Sequence, residues 1–555
     1  MRERTFEVIR FAQLAAVISS LLALPAHAQT TPGQVGDTLK RPPELKQPQE
    51  APIVETEKPV APAPAGAKGK TVKVTAFEFS GISVYSQAQL SEQIGEFLNR
   101  PVTLLDIYAA ADKIAEFYAN AGYTLASVNV PPQKISDGTV LLEVSEGRIG
   151  EVVLEDNSSQ RVGLVRQFLG VRNGELYRSD TVDNGMQNLN ELPGLTARAV
   201  IKPGAEYGTS DLVIRNTEAP VSGVMFVDNY GRKSIGETRY AASVNFNNLT
   251  GAEDQLQLLG LESSNSLLRY YYGAYNIPLG FAGDRLVFSY GHAAFDVVDI
   301  PGLNGSSHNG KVEVQHPLLR TRANRLNLTA GVSRTYSNTD LSGAALPGTS
   351  ITLLELGATY NHLYSSAAVT QLTTSLASNF DRQVRADLTP PAPPASQVLR
   401  GDQRLRAEVD LIHFQPLSAE KQMALVAHFD GVWSPDPLSD PSAFSIGGPQ
   451  SIRGYPASEV RGDRGYVGQL TLQQRYLFAS TQVTGRVFAD SGKVYSIDPT
   501  PPQSKQASLT SLGLGADFDF NRISLKLDWS SPRDGHVASD GRNKGRVYGS
   551  LFVNF

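Results

Sequence analysis

The chain has 555 residues, a formal net charge of −5 and no cysteine. Without cysteine it has neither a disulfide framework nor a thiolate metal site. The mildly negative charge gives no basic patch or stripe of the kind that nucleic-acid binding normally requires, so no nucleic-acid partner is expected.

The first 28 residues have the pattern of a secretory leader. Arginines precede an apolar run over residues 11–24, and Ala26-His27-Ala28 follows as an A-x-A cleavage site. An N-terminal membrane anchor is disfavoured, because the run is too short to span a bilayer and ends in small residues. Residues 1–28 are therefore predicted to be a signal peptide that is cleaved after Ala28.

Residues 29–70 are rich in Pro, Ala, Gln and Lys and predict an extended linker. Residues 34–40 could form a short helix. The rest of the chain has no run of about 18 apolar residues, so a membrane-embedded fold would be a closed barrel. The linker has about 40 residues, which at roughly 3.3 Å each could cross such a barrel, so it stays open whether the linker plugs the pore.

Residues 71–147 have the order strand, helix, helix, strand, strand. The expected elements are a strand over 72–79, a helix over 86–98, a helix after the N-cap Thr103, and strands over 123–130 and 139–144. Residues 148–218 repeat this order, with helices over 162–169 and 181–192 and strands near Val152, Val200 and Val213. The repeat predicts two small α+β domains in tandem.

From residue 219 to residue 555, polar and apolar residues alternate in segment after segment, as in residues 326–333. Charged residues such as Arg406 and Glu408 fall on the polar side, which suits a soluble sandwich or a barrel with a water-filled lumen. The alternation continues to the C-terminal Phe555, an aromatic end that a soluble domain rarely exposes. Roughly 336 residues at about 20 per strand and connection predict about 16 antiparallel strands.

Specific motifs strengthen this interpretation. Val144, Glu146 and Gly147 resemble the V-x-E-G strand end of polypeptide-transport-associated (POTRA) domains. Five later segments resemble the transporter subunit of two-partner secretion systems, the TpsB family of the POTRA-plus-barrel superfamily. They are the first-strand motif with Asp228, Asn229 and Gly231; Tyr275 with Pro278-Leu279-Gly280; Pro317-Leu318 with Arg320 and Arg322; the loop-tip motif Ile452-Arg453-Gly454-Tyr455; and the barrel-wall motif Phe488, Asp490 and Gly492. Phe555 resembles the end of the C-terminal recognition strand of outer-membrane barrels.

The resemblance implies a transmembrane β-barrel (residues 219–555) preceded by two POTRA domains (residues 71–147 and 148–218). Its expected location is the outer membrane of a Gram-negative bacterium, with the POTRA domains in the periplasm. There they would capture a large exoprotein of the haemolysin or adhesin type and pass it unfolded through the barrel. The other expected partners are outer-membrane lipid and, during biogenesis, the barrel-assembly machinery and periplasmic chaperones.

Catalysis is not expected. The sequence contains no HExxH, G-x-S-x-G or Walker motif, and its eight histidines show no metal-ligand spacing, so neither a cofactor nor a metal is predicted. Two other functions stay open. A barrel-assembly insertase shares the superfamily, although its POTRA arrays are commonly longer. A passive porin would explain the barrel but not the periplasmic domains. The sequence identifies neither the exoprotein nor the oligomeric state.

The resemblance also implies that a long sixth loop, near residues 440–466, folds back into the barrel. Arg453 offers a planar fork of donors and Asp490 two acceptor oxygens, so a bidentate pair could fasten the loop tip to the wall. Gly454 and Gly492 leave room for the approach. Arg453 is therefore the first candidate for a function-critical residue. If the pair is buried, removal of one partner costs roughly 3–5 kcal/mol.

Overall fold

The computed structural model describes residues 55–56, 71–135, 137–155, 162–321, 323–379, 404–418, 420–497, 504–542 and 544–555. The predicted signal peptide, its cleavage site at Ala28 and most of the linker, including the expected helix over residues 34–40, lie outside these ranges. Within the described ranges, no helix is long and apolar enough to cross a membrane.

The first α+β unit is a three-stranded sheet with a short two-stranded ribbon beside it. After the two-residue strand β1 (Glu55–Thr56), its elements are β2 (Thr71–Lys73), β3 (Ala76–Ser80), α1 (Gln87–Gln93), β4 (Pro101–Thr103), α2 (Leu104–Asn120), β5 (Ser127–Asn129) and β6 (Thr139–Ser145). β3 runs parallel to β6, and β5 runs antiparallel to β6. The predicted order of elements is confirmed.

Both predicted helices of this unit start where their capping residues place them. Ser86 and Thr103 each accept a hydrogen bond from the N–H three residues further on, and the side chain of that residue bonds back to the cap. The first helix is shorter than predicted. Ile94 N–H bonds to Ser91 O, a three-residue step, and Gly95–Phe97 continues as a 3₁₀ turn.

Two predicted strands of this unit are partly wrong. The strand expected over 72–79 is divided, because β2 pairs with β4 whereas β3 pairs with β6. Between them, Val74 O accepts a hydrogen bond from Asn99 N–H at 2.7 Å. The strand expected over 123–130 begins only at Ser127, because Ala126 N–H bonds to Tyr123 O (3.0 Å) and closes a turn.

Glu146 organises the interior of the first unit. Its Oε1 accepts hydrogen bonds from Ser83 N–H (2.7 Å), Val84 N–H (2.8 Å) and the Tyr118 hydroxyl (2.9 Å), and the Ser83 hydroxyl donates to Oε2. Burial would raise the pKa of this carboxyl, but the hydrogen bonds outweigh it and hold the pKa below its usual range. The V-x-E-G strand end thus fastens the loop that follows β3.

The second α+β unit repeats the topology of the first. Its elements are β7 (Arg148–Glu155), α3 (Val162–Leu169), α4 (Ser179–Asn190), β8 (Leu195–Pro203) and β9 (Thr209–Glu218). β7 runs parallel to β9, β8 runs antiparallel to β9, and β1 pairs in parallel with the outer edge of β8. The two helices pack closely, since a Cβ on Gly185 would lie 2.2 Å from Leu169 O. The predicted repeat is confirmed at the level of elements.

Sixteen of the described strands form a closed antiparallel barrel, as predicted. They are β10 (Val221–Asp228), β11 (Arg239–Asn247), β12 (Gln255–Ser263), β13 (Leu268–Pro278), β14 (Arg285–Asp296), β15 (Leu303–Arg320), β16 (Asn324–Leu341), β17 (Ala344–Leu363), β18 (Val369–Asn379), β19 (Arg406–Ser418), β20 (Met423–Trp433), β23 (Arg464–Phe478), β24 (Thr481–Tyr495), β25 (Gln506–Phe520), β26 (Ile523–Pro532) and β27 (Arg546–Asn554). β21 (Phe444–Ile446) and β22 (Val460–Gly462) form a separate hairpin in the loop between β20 and β23.

The barrel closes where β27 pairs with β10, from Asn554 opposite Val224 to Ser550 opposite Asp228. We call this junction the seam. Side chains alternate around the wall: on β24, Val487 is 63% exposed on the outer face, whereas Asp490 is 1% exposed on the inner face. The apolar outer side and the polar inner side are those of a membrane barrel with a hydrophilic lumen.

Candidate functional site

The loop between β20 and β23, here called loop 6, carries the candidate site. Phe444 on the outgoing arm pairs with Gly462 on the return arm. Residues 447–456 form the tip between the arms, and residues 457–459 begin the return arm, where Ser458 N–H bonds to Gly447 O. Ile452 and Tyr455 at the tip are completely buried in a cluster that includes side chains of the barrel wall. The loop was predicted near residues 440–466, and its final residues instead begin β23.

Arg453 and Asp490 form the bidentate pair that the sequence predicted. Arg453 Nε donates to Asp490 Oδ2 (2.8 Å), Arg453 Nη2 donates to Oδ1 (2.6 Å), and the backbone N–H of Arg453 also donates to Oδ2 (3.1 Å). The side chains are 9% and 0% exposed. The tip is therefore joined to β24 by a buried, charge-assisted contact of the strong kind.

The rest of the wall motif shapes the seat of the tip. Arg453 Cζ lies 3.3 Å from the centroid of the Phe488 ring, so the ring face covers the guanidinium. A Cβ on Gly492 would lie 2.9 Å from Ile452 Cδ1 and 2.7 Å from Tyr466 O. Glycine at position 492 therefore leaves the space that Ile452 occupies.

The tip also contacts the last strand of the barrel. Gly454 has φ +98°, in the region that favours glycine, and its N–H donates to the hydroxyl of Tyr548 at 3.2 Å. The Tyr548 hydroxyl in turn donates to Tyr455 O, and the Tyr455 hydroxyl donates to Thr510 O at 3.4 Å. The loop-tip motif thus contacts β24, β25 and β27 from inside the barrel.

The first-strand motif acts at the seam rather than at the loop tip. Asp228 on β10 faces Arg239 on β11, and both bonds of this buried bidentate pair are 2.7 Å long. Asn229 Nδ2 donates to Val547 O (3.0 Å), and Gly549 N–H donates to Asn229 Oδ1 (2.9 Å). The asparagine side chain therefore continues the β10–β27 ladder beyond the last paired residues.

Gly231 and Phe555 complete the two ends of the seam. A Cβ on Gly231 would lie 2.0 Å from Gly236 O, so the first loop of the barrel folds back on itself only with glycine there. At the other end, Phe555 exchanges two backbone hydrogen bonds with Gly223, at 2.9 and 3.0 Å. The structure therefore places these two motifs at the seam, away from the Arg453–Asp490 pair.

Comparison with known families shows which family has this architecture. The model of the family described as "Haemolysin secretion/activation protein ShlB/FhaC/HecB" matches residues 208–518, and that of the "POTRA domain, ShlB-type" matches residues 72–147. The chain belongs to this secretion/activation family. It is an outer-membrane transporter of the two-partner secretion type, and its POTRA domains are periplasmic.

Individual relatives span most of the transporter. The heme/hemopexin transporter protein HuxB of Haemophilus influenzae (strain 86-028NP) is 26% identical over 491 residues, covering 84% of each chain. The outer membrane transporter CdiB of Escherichia coli is 23% identical and covers 85% of this chain and 83% of its own. A solved structure of CdiB from Escherichia coli has the same fold, with a TM-score of 0.70, 20% identity and coverage of 89% and 93%.

The other two family motifs of the transporter lie at the periplasmic side, between barrel and second POTRA unit. Arg320 pairs with Glu191 (Nη2 to Oε2, 2.9 Å) and also donates to Asn188, both in or just after α4. Phe281, which directly follows the Pro278-Leu279-Gly280 segment, packs edge-on against Phe168 of α3 with centroids 5.2 Å apart. Arg322 lies outside the described residues.

Sequence reasoning missed several residues around loop 6. Tyr548 lies on the polar face of an alternating strand, where an aromatic residue is itself an unusual signal. Arg406, expected to line the lumen, pairs with Glu408 and also donates to Ser442 O of loop 6 at 3.2 Å. Glu459 and Arg232 are not among the residues of the predicted motifs. Their partners come from loops distant in sequence, so the sequence alone does not single them out.

Proposed function

We propose that the transporter exports a large exoprotein of the haemolysin or adhesin type, and that loop 6 leaves the lumen while the unfolded chain passes. The observation that carries this proposal is the Arg453–Asp490 pair. It holds the tip inside the barrel by side-chain contacts to β24, so the tip can separate while the barrel strands stay paired. A lumenal segment fastened in this way is suited to reversible displacement.

The POTRA units suit capture of an extended substrate segment. The outer edge of β8 pairs in parallel with β1, with Glu55 opposite Val200 and Thr56 opposite Ile201. That edge therefore accepts an added strand. Strand addition gives affinity through main-chain hydrogen bonds and asks little of the substrate's sequence. We infer that a segment of the exoprotein binds by the same mode.

The proposed organisation keeps the predicted boundaries. Residues 1–28 are the signal peptide and residues 29–70 the linker. Residues 71–147 and 148–218 are the POTRA domains, and residues 219–555 the barrel. The apolar outer face contacts outer-membrane lipid, and Phe555 ends the strand that the barrel-assembly machinery reads after periplasmic chaperones deliver the chain.

Folding of the exoprotein outside the cell supplies the driving force in this proposal, since the sequence contains no nucleotide-binding motif. Export into vesicles that contain the purified transporter should proceed without ATP or a proton gradient. A strict requirement for either energy source would contradict this part of the proposal.

The function is tested by proteomics of the cell surface and medium in the native host. Wild type, a deletion of the gene and Arg453→Ala are compared. Loss of one large exported protein in the deletion strain, with other outer-membrane barrels still assembled, supports a dedicated transporter. A broad loss of outer-membrane proteins would indicate a barrel-assembly insertase, and an unchanged proteome a passive porin.

A further inference from the structure

Glu459 is a buried carboxylate of loop 6 that the Arg453–Asp490 contact does not explain. Its side chain is fully buried on the return arm, directly before β22. It accepts hydrogen bonds from His536 Nε2 (3.0 Å), Ser539 N–H (2.6 Å) and the Ser539 hydroxyl (2.7 Å). Both partners lie in residues 533–545, the loop that joins β26 to β27 and is here called the last loop.

A second loop holds the same arm. Arg232 lies in residues 229–238, the first loop of the barrel, between β10 and β11. Its buried guanidinium donates to Ala457 O and to Ser458 O, the latter at 3.0 Å. The return arm of loop 6 is thus bound from both sides, by the first loop and by the last loop.

These two loops adjoin the seam, because the first loop follows β10 and the last loop precedes β27. They also contact each other, since Arg542 Nη1 lies 2.9 Å from Glu237 Oε1. We call the residues that join the three loops the seam cluster: the buried Arg232 and Glu459 and the part-buried His536 and Ser539. The cluster lies at the seam, whereas Asp490 lies on β24, so the two attachments hold loop 6 to different parts of the wall.

The charges of the cluster are complementary. The groups that face Glu459 are His536 and Arg232, and Asp534 lies near His536. The hydrogen bond to Glu459 raises the pKa of His536. Burial would raise the pKa of Glu459, but the bonds from His536 and Ser539 lower it. Both shifts favour the charged forms of the two groups, and loss of His536 would leave the fully buried Glu459 carboxylate without one of its donors.

We propose that the seam cluster is a second latch for loop 6, independent of the Arg453–Asp490 pair, with Glu459 as its positioning residue. The proposal rests on the release of loop 6 described under the proposed function. It adds that the tip leaves the lumen only when the seam cluster also opens. Movement of the loop during export is therefore coupled to movement of the two loops that flank the seam.

The test measures channel opening of the full-length transporter in planar lipid bilayers without substrate. The variants are Glu459→Gln, Asp490→Asn and the double variant. Asp299→Asn, at an exposed position in the turn between β14 and β15, is the matched control. Each single variant should raise the frequency of opening about tenfold, because each weakens hydrogen bonds to a charged group. The double variant should multiply the two effects, since independent sites add in free energy.

The outcomes separate this proposal from the proposed function. If Asp490→Asn raises the opening frequency and Glu459→Gln matches Asp299→Asn, the second latch is overturned and loop release stands. If neither variant differs from the control, loop release itself fails. A double variant no more open than the stronger single variant would show one latch rather than two.

A covalent test does not depend on the folding of Glu459→Gln. Because the chain has no cysteine, Glu459→Cys with Ser539→Cys introduces a unique pair of thiols. A short, reducible dithiol-reactive linker between them should lower the opening frequency below that of wild type, and reduction should reverse the effect. Unchanged opening after complete linking would overturn the proposal. Heat-dependent gel migration verifies a folded barrel for each variant. Ser539→Ala is a milder alternative to Glu459→Gln and should raise the opening frequency by a smaller factor.

Discussion

Two buried carboxylates, one in the first POTRA unit and one in the barrel, are held in different ways. Glu146 accepts hydrogen bonds from two backbone N–H groups and from the hydroxyls of Ser83 and Tyr118, all neutral donors of its own unit. Asp490 is held by the guanidinium and backbone N–H of Arg453, which belongs to loop 6. The donors of Glu146 separate from it only if the unit unfolds. Under the proposed function, the Arg453 donor of Asp490 leaves while the barrel stays closed.

This difference distinguishes a structural contact from a releasable one. Because the donors around Glu146 are neutral, their loss leaves one carboxylate charge, and nothing in the described part of the unit offsets the lost hydrogen bonds. When Arg453 and Asp490 separate in a hydrophilic lumen, water can solvate both charges, so the separated state is accessible at a limited cost. Whether a buried carboxylate forms a structural contact or a releasable one therefore depends on which element of the fold carries its hydrogen-bond donors.

The largest expected effect comes from Arg453→Ala, which leaves Asp490 buried without its cation. Attachment of the tip should weaken by roughly 3–5 kcal/mol, and export should fall severely. Protease accessibility of loop 6 in intact cells and the amount of exported protein measure the two effects. Arg453→Ala with Asp490→Asn should be less severe than the sum of the single variants, because the stranded charge is removed. Strict additivity would contradict a direct pair.

In the POTRA unit, Glu146→Gln should destabilise the loop after β3 by about 1.5–3 kcal/mol, because hydrogen bonds to a charged acceptor are weakened. Hydrogen exchange of residues 81–86 in the full-length protein measures this loss. Tyr118→Phe, which removes one donor and keeps the ring, should cost about 1 kcal/mol. Export that fails while protection of these residues stays normal would assign Glu146 a role beyond structure.

The same carboxylate predicts a dependence on pH. The pKa of Glu146 is lowered in the folded unit, so its stabilisation is fully present above the unfolded value of about 4.3. That stabilisation is lost as the pH falls through the folded pKa. Protection of residues 81–86 should therefore decrease on acidification in wild type and change less in Glu146→Gln. A parallel decrease in both proteins would refute this assignment.

Gly492→Ala tests how tightly the releasable contact is packed. The added methyl group would meet Ile452 Cδ1 and Tyr466 O, so the seat of the tip should lose about 1–3 kcal/mol through overpacking. Gly485→Ala on the same strand is the control, since a Cβ there has no atom of the described chain within 4 Å. Ile452→Val, which removes the contacted Cδ1, should restore part of the loss. Equal channel opening in the two glycine variants would contradict the packing argument.

The Arg453–Asp490 pair could be predicted from the sequence because both residues lie in short motifs with defined chemistry. The seam cluster could not. Glu459 and His536 are 77 residues apart, and only closure of the barrel brings their loops together. Contacts between segments distant in sequence also explain the misplaced strand ends of the first POTRA unit. Alternation identifies an extended segment, but its limits depend on which neighbour it pairs with.

The smallest effect is expected at the junction between the two regions. Arg320 contacts Glu191 with side chains 11% and 34% exposed. Water can solvate the part-exposed Glu191 when Arg320 is replaced, so Arg320→Gln should cost about 1 kcal/mol or less. Spin labels on α4 and on β16, introduced into the cysteine-free chain, should show a broader distance distribution with export nearly preserved. Glu191→Gln should reproduce the broadening. If either variant instead abolishes export, the junction transmits a signal from the POTRA units to the barrel, and release of loop 6 would depend on more than its contacts inside the barrel.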